Sequence, residues 1–545
     1  MPDQIAAVNG LGIVQDLPPW AVLPDAWTGG RNVNFRDGVT TRIQGNSEIL
    51  RTGLFAPQEV PHFLLNIPGT VNYWLAAGPN KTIANTNQSV SVFDGSLLFA
   101  GESVISPVAW TIATTVDNPF TGGLINGFAF LNDGTHPPVW WDGVPANVML
   151  TVPGWVGGEL AKAVRAYKYH LVAMNVVIGG IQYPEGVKWS AAAVPGALPA
   201  SWTAAATNDA GFVALADSAG ACVDGARLRD AFIIYKQHST YSMTYVGGTF
   251  VMDFRQLFTT SGVLSRNCIA EWEGTHFVLT DGDVVNHDGV QLASVIDKKN
   301  RRWLFNNLNQ SHYGLAFVAI NKPRRELWVA FPSGAADYCN QVLIMDIATG
   351  KWGVRDPDGS KMFFAASGIV AATQADDWQS DGQAWNSDNT TWDAQLYNSS
   401  TEGLVLGELD DQQTALPLIN KGRFVVVDVG PDFLAGEAAA IDISASLTRE
   451  DIDCESPDMV KTATKLWPRI SSPVQGQQVF FRAGSKMNLG EPTSWGPEMP
   501  FSIGFDDHVS VFVTGRWLAV QMRSEGSAPW QLQGIDISYT ERSMY

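Results

Sequence analysis

Charge is sparse in this sequence, and basic charge sparsest of all. Charged residues fill 16% of the 545 positions, where an ordinary soluble domain carries roughly 25%. Asp and Glu number 54 against 35 Lys and Arg, a formal charge of −19. A chain this acidic, with no long basic run, repels phosphate, which excludes a sequence-reading DNA binder. It leaves room for a wall past which DNA slides, because a surface that neutralised phosphates would trap the duplex.

The four cysteines, Cys222, Cys268, Cys339 and Cys454, stand alone, with no C-x-x-C pair and no histidine cluster beside them. A zinc site is therefore not expected, and the thiols read as buried and free. The start, Met1-Pro2-Asp3-Gln4-Ile5, has no basic leader, and no stretch approaches the ~20 uninterrupted apolar residues of a membrane span. The product is expected to stay in the cytoplasm where it is made, any export following lysis. Eight histidines are scattered, and H-E-x-x-H, G-x-S-x-G, the P-loop pattern and a strand-bound G-x-G-x-x-G are all missing. Glycoside hydrolysis needs a pair of carboxylates facing across a cleft, and no pair stands out among so many acids. No catalytic, cofactor-binding or metal-binding residue is assigned, and the chain is expected not to be an enzyme.

What the sequence does hold is turn material and aromatic residues, with 52 Gly, 29 Pro and 20 Trp in a composition 45% hydrophobic. Asp-Gly favours type I′ hairpin turns, whose central residues both take positive φ. It recurs at Asp37, Asp94, Asp133, Asp142, Asp224, Asp281, Asp288, Asp358 and Asp381. From Tyr313 to Val354 four strand-like runs follow one another: YGLAFVAI, the turn NKPR, RELWVAF, a polar loop, QVLIMDI, the turn ATG, and KWGV. Such a meander is one blade of a propeller. Less regular units (GFAFLND with PPVWWDG, YKYHLVAMNV with GVKWSAA, DAFIIYK with TYSMTYVGG) are spaced at roughly 40–50 residues, the period of a small sheet that hides its face only against its neighbours. Trp140, Trp141, Trp189, Trp202, Trp328 and Trp352 are expected to pack between these sheets rather than to form a sugar-stacking platform.

Further on, GRFVVVDVG, AIDISASL, QVFFRAG, VSVFVTGRWLAVQMRS and WQLQGIDISY alternate as antiparallel sandwich strands do. The expected fold is all-β, a β-propeller core followed by a C-terminal antiparallel β-sandwich. The expected division is an extended N-terminal arm with first strands over 1–50, the propeller over 51–375, a turn-rich linker over 376–400 and the sandwich over 401–545. In that linker Asp376, Asp377, Asp381, Asp388 and Asp393 do not fit an EF-hand, and Ser380-Asp381-Gly382 lacks the spacing of a sialidase-type Asp-box. Trp378, Trp385 and Trp392 recur every seven residues without the second apolar position that a coiled coil needs. One short helix is expected over Asp297–Asn307, capped by Asp297. It carries the densest basic cluster, Lys298, Lys299, Arg301 and Arg302, with Arg324 and Arg325 further along. The cluster is a candidate contact for DNA or an acidic neighbouring subunit, weighed against a plain solvated helix face.

The stretch from Gly12 to Gly38 contains, in order, Asp16-Leu17-Pro18, Leu23-Pro24-Asp25-Ala26-Trp27-Thr28 and Asn32-Val33-Asn34-Phe35-Arg36-Asp37-Gly38. This resembles the opening of the tail nozzle or tail-hub proteins of short-tailed bacteriophages. Val187-Lys188-Trp189-Ser190 with Pro199-Ala200-Ser201-Trp202 is similar to an element of their propellers, and GRWLAVQMRSEGSAPWQLQGIDISY to their closing strands. The resemblance implies a virion structural protein, a ring of about six subunits around the DNA-ejection channel of the tail. Its partners would be further copies of itself, other tail, portal or adaptor proteins, tail fibres, and double-stranded DNA in transit, with no cofactor. The chain is shorter than the longest nozzle proteins, so extra domains and fibre-binding insertions are expected to be missing. Pro18, Pro19, Trp20, Leu23, Pro24 and Trp27 are candidates for contact with an adjoining subunit, through an arm lying across it. The alternative is a propeller glycosidase or lectin acting on bacterial surface polysaccharide.

Overall fold

The computed structural model describes residues 4–36, 38–51, 62–82, 85–95, 102–107, 110, 119–248, 251–356, 360–370, 401–410, 422–430, 442–526 and 528–542. Among these residues lie seven four-stranded antiparallel sheets. Six are simple meanders, in which blade 1 runs from Phe63–Ile67 to Glu102–Val104, blade 2 from Thr121–Ile125 to Leu150–Thr151, and blade 3 from Leu160–Tyr167 to Gly211–Ala214. Blade 4 runs from Cys222–Leu228 to Met252–Phe258, blade 5 from Ile269–Trp272 to Leu292–Ser294, and blade 6 from Phe317–Asn321 to Trp352–Arg355. Blade 7 joins Ser360–Val370, Thr401–Asp410 and Gly422–Val427 to Asn46–Arg51, a strand that precedes blade 1 in the chain.

The first strand of each blade packs on the first strand of the next, and blade 7 returns to blade 1. At that seam Ile369 N donates to Asn66 Oδ1 at 3.2 Å, and the rings of Phe63 and Phe364 lie 5.2 Å apart. The result is a closed β-propeller whose last blade is finished by a strand from the other end of the chain. Pairing that edge removes a row of free N–H and C=O groups that would otherwise invite association.

Two further sheets form the sandwich. One holds Val33–Arg36, Val39–Arg42, Gln531–Arg542, Val460–Ser471 and Val509–Gly515 in that order, with Gln4–Asn9 also on Gln531–Arg542. The other holds Gly29–Arg31, Ala445–Ile452, Trp517–Ser524, Gln478–Lys486 and Ser494–Trp495, with Met499–Ser502 on Gln478–Lys486. Alternation turns Leu466, Phe481, Ile535 and Ile537 inward, and the buried apolar cluster they begin runs through Trp27 and Phe35 to Leu327 and Trp352 of blade 6. Polar contacts cross the same joint, where Arg36 pairs with Glu326 and Asn34 Nδ2 donates to Glu326 Oε1 at 3.2 Å, and beside it Arg355 Nη1 of blade 6 meets Asp428 Oδ1 at the end of a blade 7 strand at 3.1 Å. Burial, reinforced by the charge of Asp428, pushes the Glu326 carboxyl up to about 7.

The architecture is the expected one, but its parts are drawn from different stretches of chain. The first segment, expected as an extended arm with first strands, supplies in its described residues four strands to the sandwich and one, Asn46–Arg51, to blade 7. The strands at Thr401–Asp410 and Gly422–Val427, expected in the sandwich, belong to blade 7. Alternation reveals that a strand exists and which face it buries, but not its partner, and here the partners lie hundreds of residues apart. The helix spans Arg301–Asn307, starting later than expected: Lys298, at φ 58°, interrupts any helical path from Asp297, and Asn300 takes the cap position. Trp141, Trp189, Trp202, Trp328 and Trp352 are buried, and Trp140 is partly so. The linker with its aspartates and Trp378, Trp385 and Trp392 lies outside the described residues. All four cysteines are buried and free, and desolvation pushes Cys222, Cys268 and Cys454 up to about 12, so none is a ready thiolate. Among the described residues no helix is long and apolar enough to cross a membrane.

Candidate functional site

The first strands of all the blades face a common axis, and the space they leave is a channel of about 400 Å³. A space of that size, closed in by residues from every blade, does not admit a duplex. Phe63, Leu65, Ile269, Val318, Ile320 and Phe364 make most of the wall apolar. Its polar side is built on Arg165 of blade 3, which donates Nε to Asp224 Oδ1 at 2.8 Å and Nη2 to Asp224 Oδ2 at 2.7 Å. Nη2 also reaches Asn267 Oδ1 at 2.8 Å and Nη1 the Gly122 carbonyl at 3.1 Å. Asn267 in turn donates its backbone N to Asp224 Oδ2 at 2.9 Å and Nδ2 to the Phe120 carbonyl at 3.0 Å. One guanidinium thus ties together residues from blades 2, 3 and 4 and the loop entering blade 5, in a setting where a planar fork suits a carboxylate.

The second candidate lies on the outer side, where blade 6 meets the sandwich. The chain runs in through Leu11–Val14 and out through Asp25–Trp27, and the two passes bond each other: Leu11 N to Asp25 O, Trp27 N to Gly12 O and Val14 N to Trp27 O, each at 2.9 Å. Gly12 sits at φ 104°, and a Cβ there would meet Trp352 N at 3.2 Å, so this neck needs glycine. Between the two passes a knuckle projects. Pro19–Ala21 forms a single 3₁₀ turn, and Arg449 of the sandwich donates Nη1 to the Pro19 carbonyl and Nη2 to the Val22 carbonyl, both at 2.8 Å. Held in that way, Trp20 is 54% exposed and Leu23 68%, with Leu17, Pro18 and Pro24 exposed beside them and Pro19 half-buried. Trp27 departs from the expectation: it is 0% exposed, packed in the neck, and is withdrawn as a contact residue.

The basic cluster adjoins this knuckle. Gln15 N and Asp16 N donate to the Lys299 carbonyl at 2.8 and 2.9 Å, Asn300 Nδ2 to the Ile13 carbonyl at 2.9 Å, and Trp303 N to Asp16 Oδ1 at 3.0 Å. Asp16, remote in sequence, therefore caps the helix that Asp297 was expected to cap. Lys298, Arg301 and Arg302 are exposed, and Arg301 reaches the Gly282 carbonyl at 2.6 Å; Lys299 is half-buried. Arg324 lies elsewhere, on the Asp428 carbonyl and Gln44.

Arg165, Asp224, Asn267 and Arg449 were not foreseen from the sequence. Asp224-Gly225 reads as a turn but lies inside the strand Cys222–Leu228, at a register shift that aims the carboxylate at Arg165. The alternation of CVDGARL is the one local sign of it.

No protein-family model and no curated protein matches this sequence. Among solved structures, the chain is similar to an exo-beta-1,3-galactanase from Phanerochaete chrysosporium, at 9% identity and TM-score 0.27, over 90% of this chain and 100% of that one. It is similar to an alpha-L-arabinofuranosidase from Podospora anserina at 10% identity and TM-score 0.22, over 76% and 98%. It is also similar to an apocarotenoid oxygenase from Synechocystis at 9% identity and TM-score 0.31, over 76% and 96%. With glycoside hydrolases among these neighbours, the expectation that the chain is not an enzyme is corrected. That expectation rests on missing linear motifs, whereas a propeller gathers a site from loops of blades far apart in sequence, where no linear motif would show it. The likeness names no substrate and no residue of this chain.

Proposed function

We propose that this chain is a virion structural protein of a tailed bacteriophage, a subunit of the tail nozzle or hub ring that bounds the DNA-ejection channel. The observation that carries the reading is the knuckle, a Trp and a Leu fixed in exposed positions by Arg449 beside exposed basic residues. Exposed aromatic anchors held rigid in advance are what a subunit contact uses, since little freedom is lost on docking. Another copy of this chain suits that place by charge, because each copy carries −19 and Lys298, Arg301 and Arg302 are where its repulsion is locally offset. The resemblance of the Gly12–Gly38 stretch to nozzle proteins supports the same assignment. The axial channel is too small for DNA, so in this reading the duplex passes through the lumen between subunits and never through the propeller.

The test is the mass of the purified protein. Rings of about six copies, roughly 350 kDa, support the reading, and a chain that stays a 59.0 kDa monomer at all concentrations contradicts it. Incubation with bacterial surface polysaccharide decides the alternative: release of reducing ends would favour a propeller glycosidase, and binding without release a lectin.

A further inference from the structure

Between blades 5 and 6 lies an open groove of about 530 Å³, lined by the apolar Trp272, Phe277, Met345 and Ile347, by the polar Thr275, Asn286 and Ser294, and by Lys299 and Gly350. Its volume falls in the range of roughly 300–1,000 Å³ usual for small-molecule sites, and such sites pair apolar walls with a few placed polar groups. Here the charged group among the polar ones is the Lys299 ammonium, which donates to the Gly350 carbonyl at 2.9 Å. An ammonium has three protons to donate, and among the described residues no carboxylate meets this one. Lys168, Lys188, Lys322 and Lys486 each contact an Asp or Glu. Glu273, on the rim of the same groove, is exposed and forms no ion pair with Lys299. Beyond the one bond to Gly350, no charge among the described residues offsets the desolvation cost of this half-buried ammonium, and burial lowers its pKa.

We propose that this groove binds a small apolar carboxylate, its carboxylate on Lys299 Nζ and its hydrocarbon or aromatic body between Trp272, Phe277 and Met345. A single ammonium matches a monoanion, and the acidity of the chain disfavours a dianion such as phosphate. Met345 and the aromatic walls accept flat or branched bodies, since a thioether adapts to either. None of Pro18, Trp20, Leu23 and Pro24 lines the groove, and binding there does not require ring formation.

The test titrates the full-length protein with 3-phenylpropionate, followed by tryptophan fluorescence and by heat, with 3-phenylpropanamide as the neutral control of the same shape. Saturable binding at one site is expected, weakened about tenfold or more for the amide and in Lys299→Met, and retained in Lys299→Arg, which keeps the charge. The absence of saturable binding in the millimolar range overturns the proposal. So does an amide that binds as well as the acid, a comparison made on the wild-type protein and independent of whether any variant folds.

Discussion

Arg165 and Asp224 meet through two parallel hydrogen bonds, 2.8 and 2.7 Å long, across the boundary between blades 3 and 4. The carboxylate side chain is 1% exposed and the guanidinium 19%. In such a place the cost of losing one partner exceeds the worth of the pair, because the other is left charged and buried. Arg165→Met should lower stability by ~3–5 kcal/mol, and Arg165→Met with Asp224→Leu should recover much of that loss. Urea denaturation of the single and double variants checks this; equal losses in both would mean that the pair does not clamp the channel.

Between blades 4 and 5 the Tyr235 hydroxyl is 2.7 Å from His276 Nδ1 and 2.6 Å from His287 Nε2. The outer contacts set the protons: His276 Nε2 donates to the Arg227 carbonyl at 2.8 Å, and His287 Nδ1 accepts from Gly289 N at 3.2 Å. So His287 donates to Tyr235, Tyr235 donates to His276, and both rings are neutral. Burial, with His276 close by, pushes His287 down to about 4, and His276 is lowered too. A histidine depressed in the fold contributes stability above its unfolded value of 6.5 and loses it as pH falls toward about 4. Thermal melts between pH 7 and pH 4 should show wild type losing roughly 3 kcal/mol more than His287→Gln, which cannot titrate. Parallel curves for the two proteins would contradict the assignment.

Trp20 and Trp27 lie seven positions apart in one loop and should behave oppositely. Trp20→Ala, at a 54% exposed site, should shift the melting free energy by less than ~0.5 kcal/mol. Self-association is where its effect should appear, at ~2 kcal/mol or more, as for an interface anchor. Trp27→Ala should cost ~3–5 kcal/mol of stability, since it empties a buried site in the neck. Denaturation paired with sedimentation velocity separates the two effects. A Trp20→Ala protein that associates normally would remove the knuckle from the contact.

Blade 6 is legible in the sequence because its four strands are consecutive, so each finds its partner next door. Blade 7 is not. Gly422–Val427 pairs with Asn46–Arg51, and Gln4–Asn9 with Gln531–Arg542, and no local pattern carries information about a partner that distant. In the Pro- and Trp-rich run Pro18–Trp27, composition alone does not separate the anchored Trp27 from the displayed Trp20. That separation is made by Gly12 and Arg449, which fix the neck and the knuckle from outside the run. Asp224-Gly225 misled for a related reason: turn chemistry is local, whereas the demand of Arg165 for a carboxylate is not.

Electron microscopy of the purified protein tests the central claim most directly. The account predicts closed rings of about six propellers around an open lumen wide enough for a duplex, with Trp20 and Leu23 buried between neighbouring subunits. Single propeller-and-sandwich particles, or rings in which the knuckle faces solvent, would contradict it.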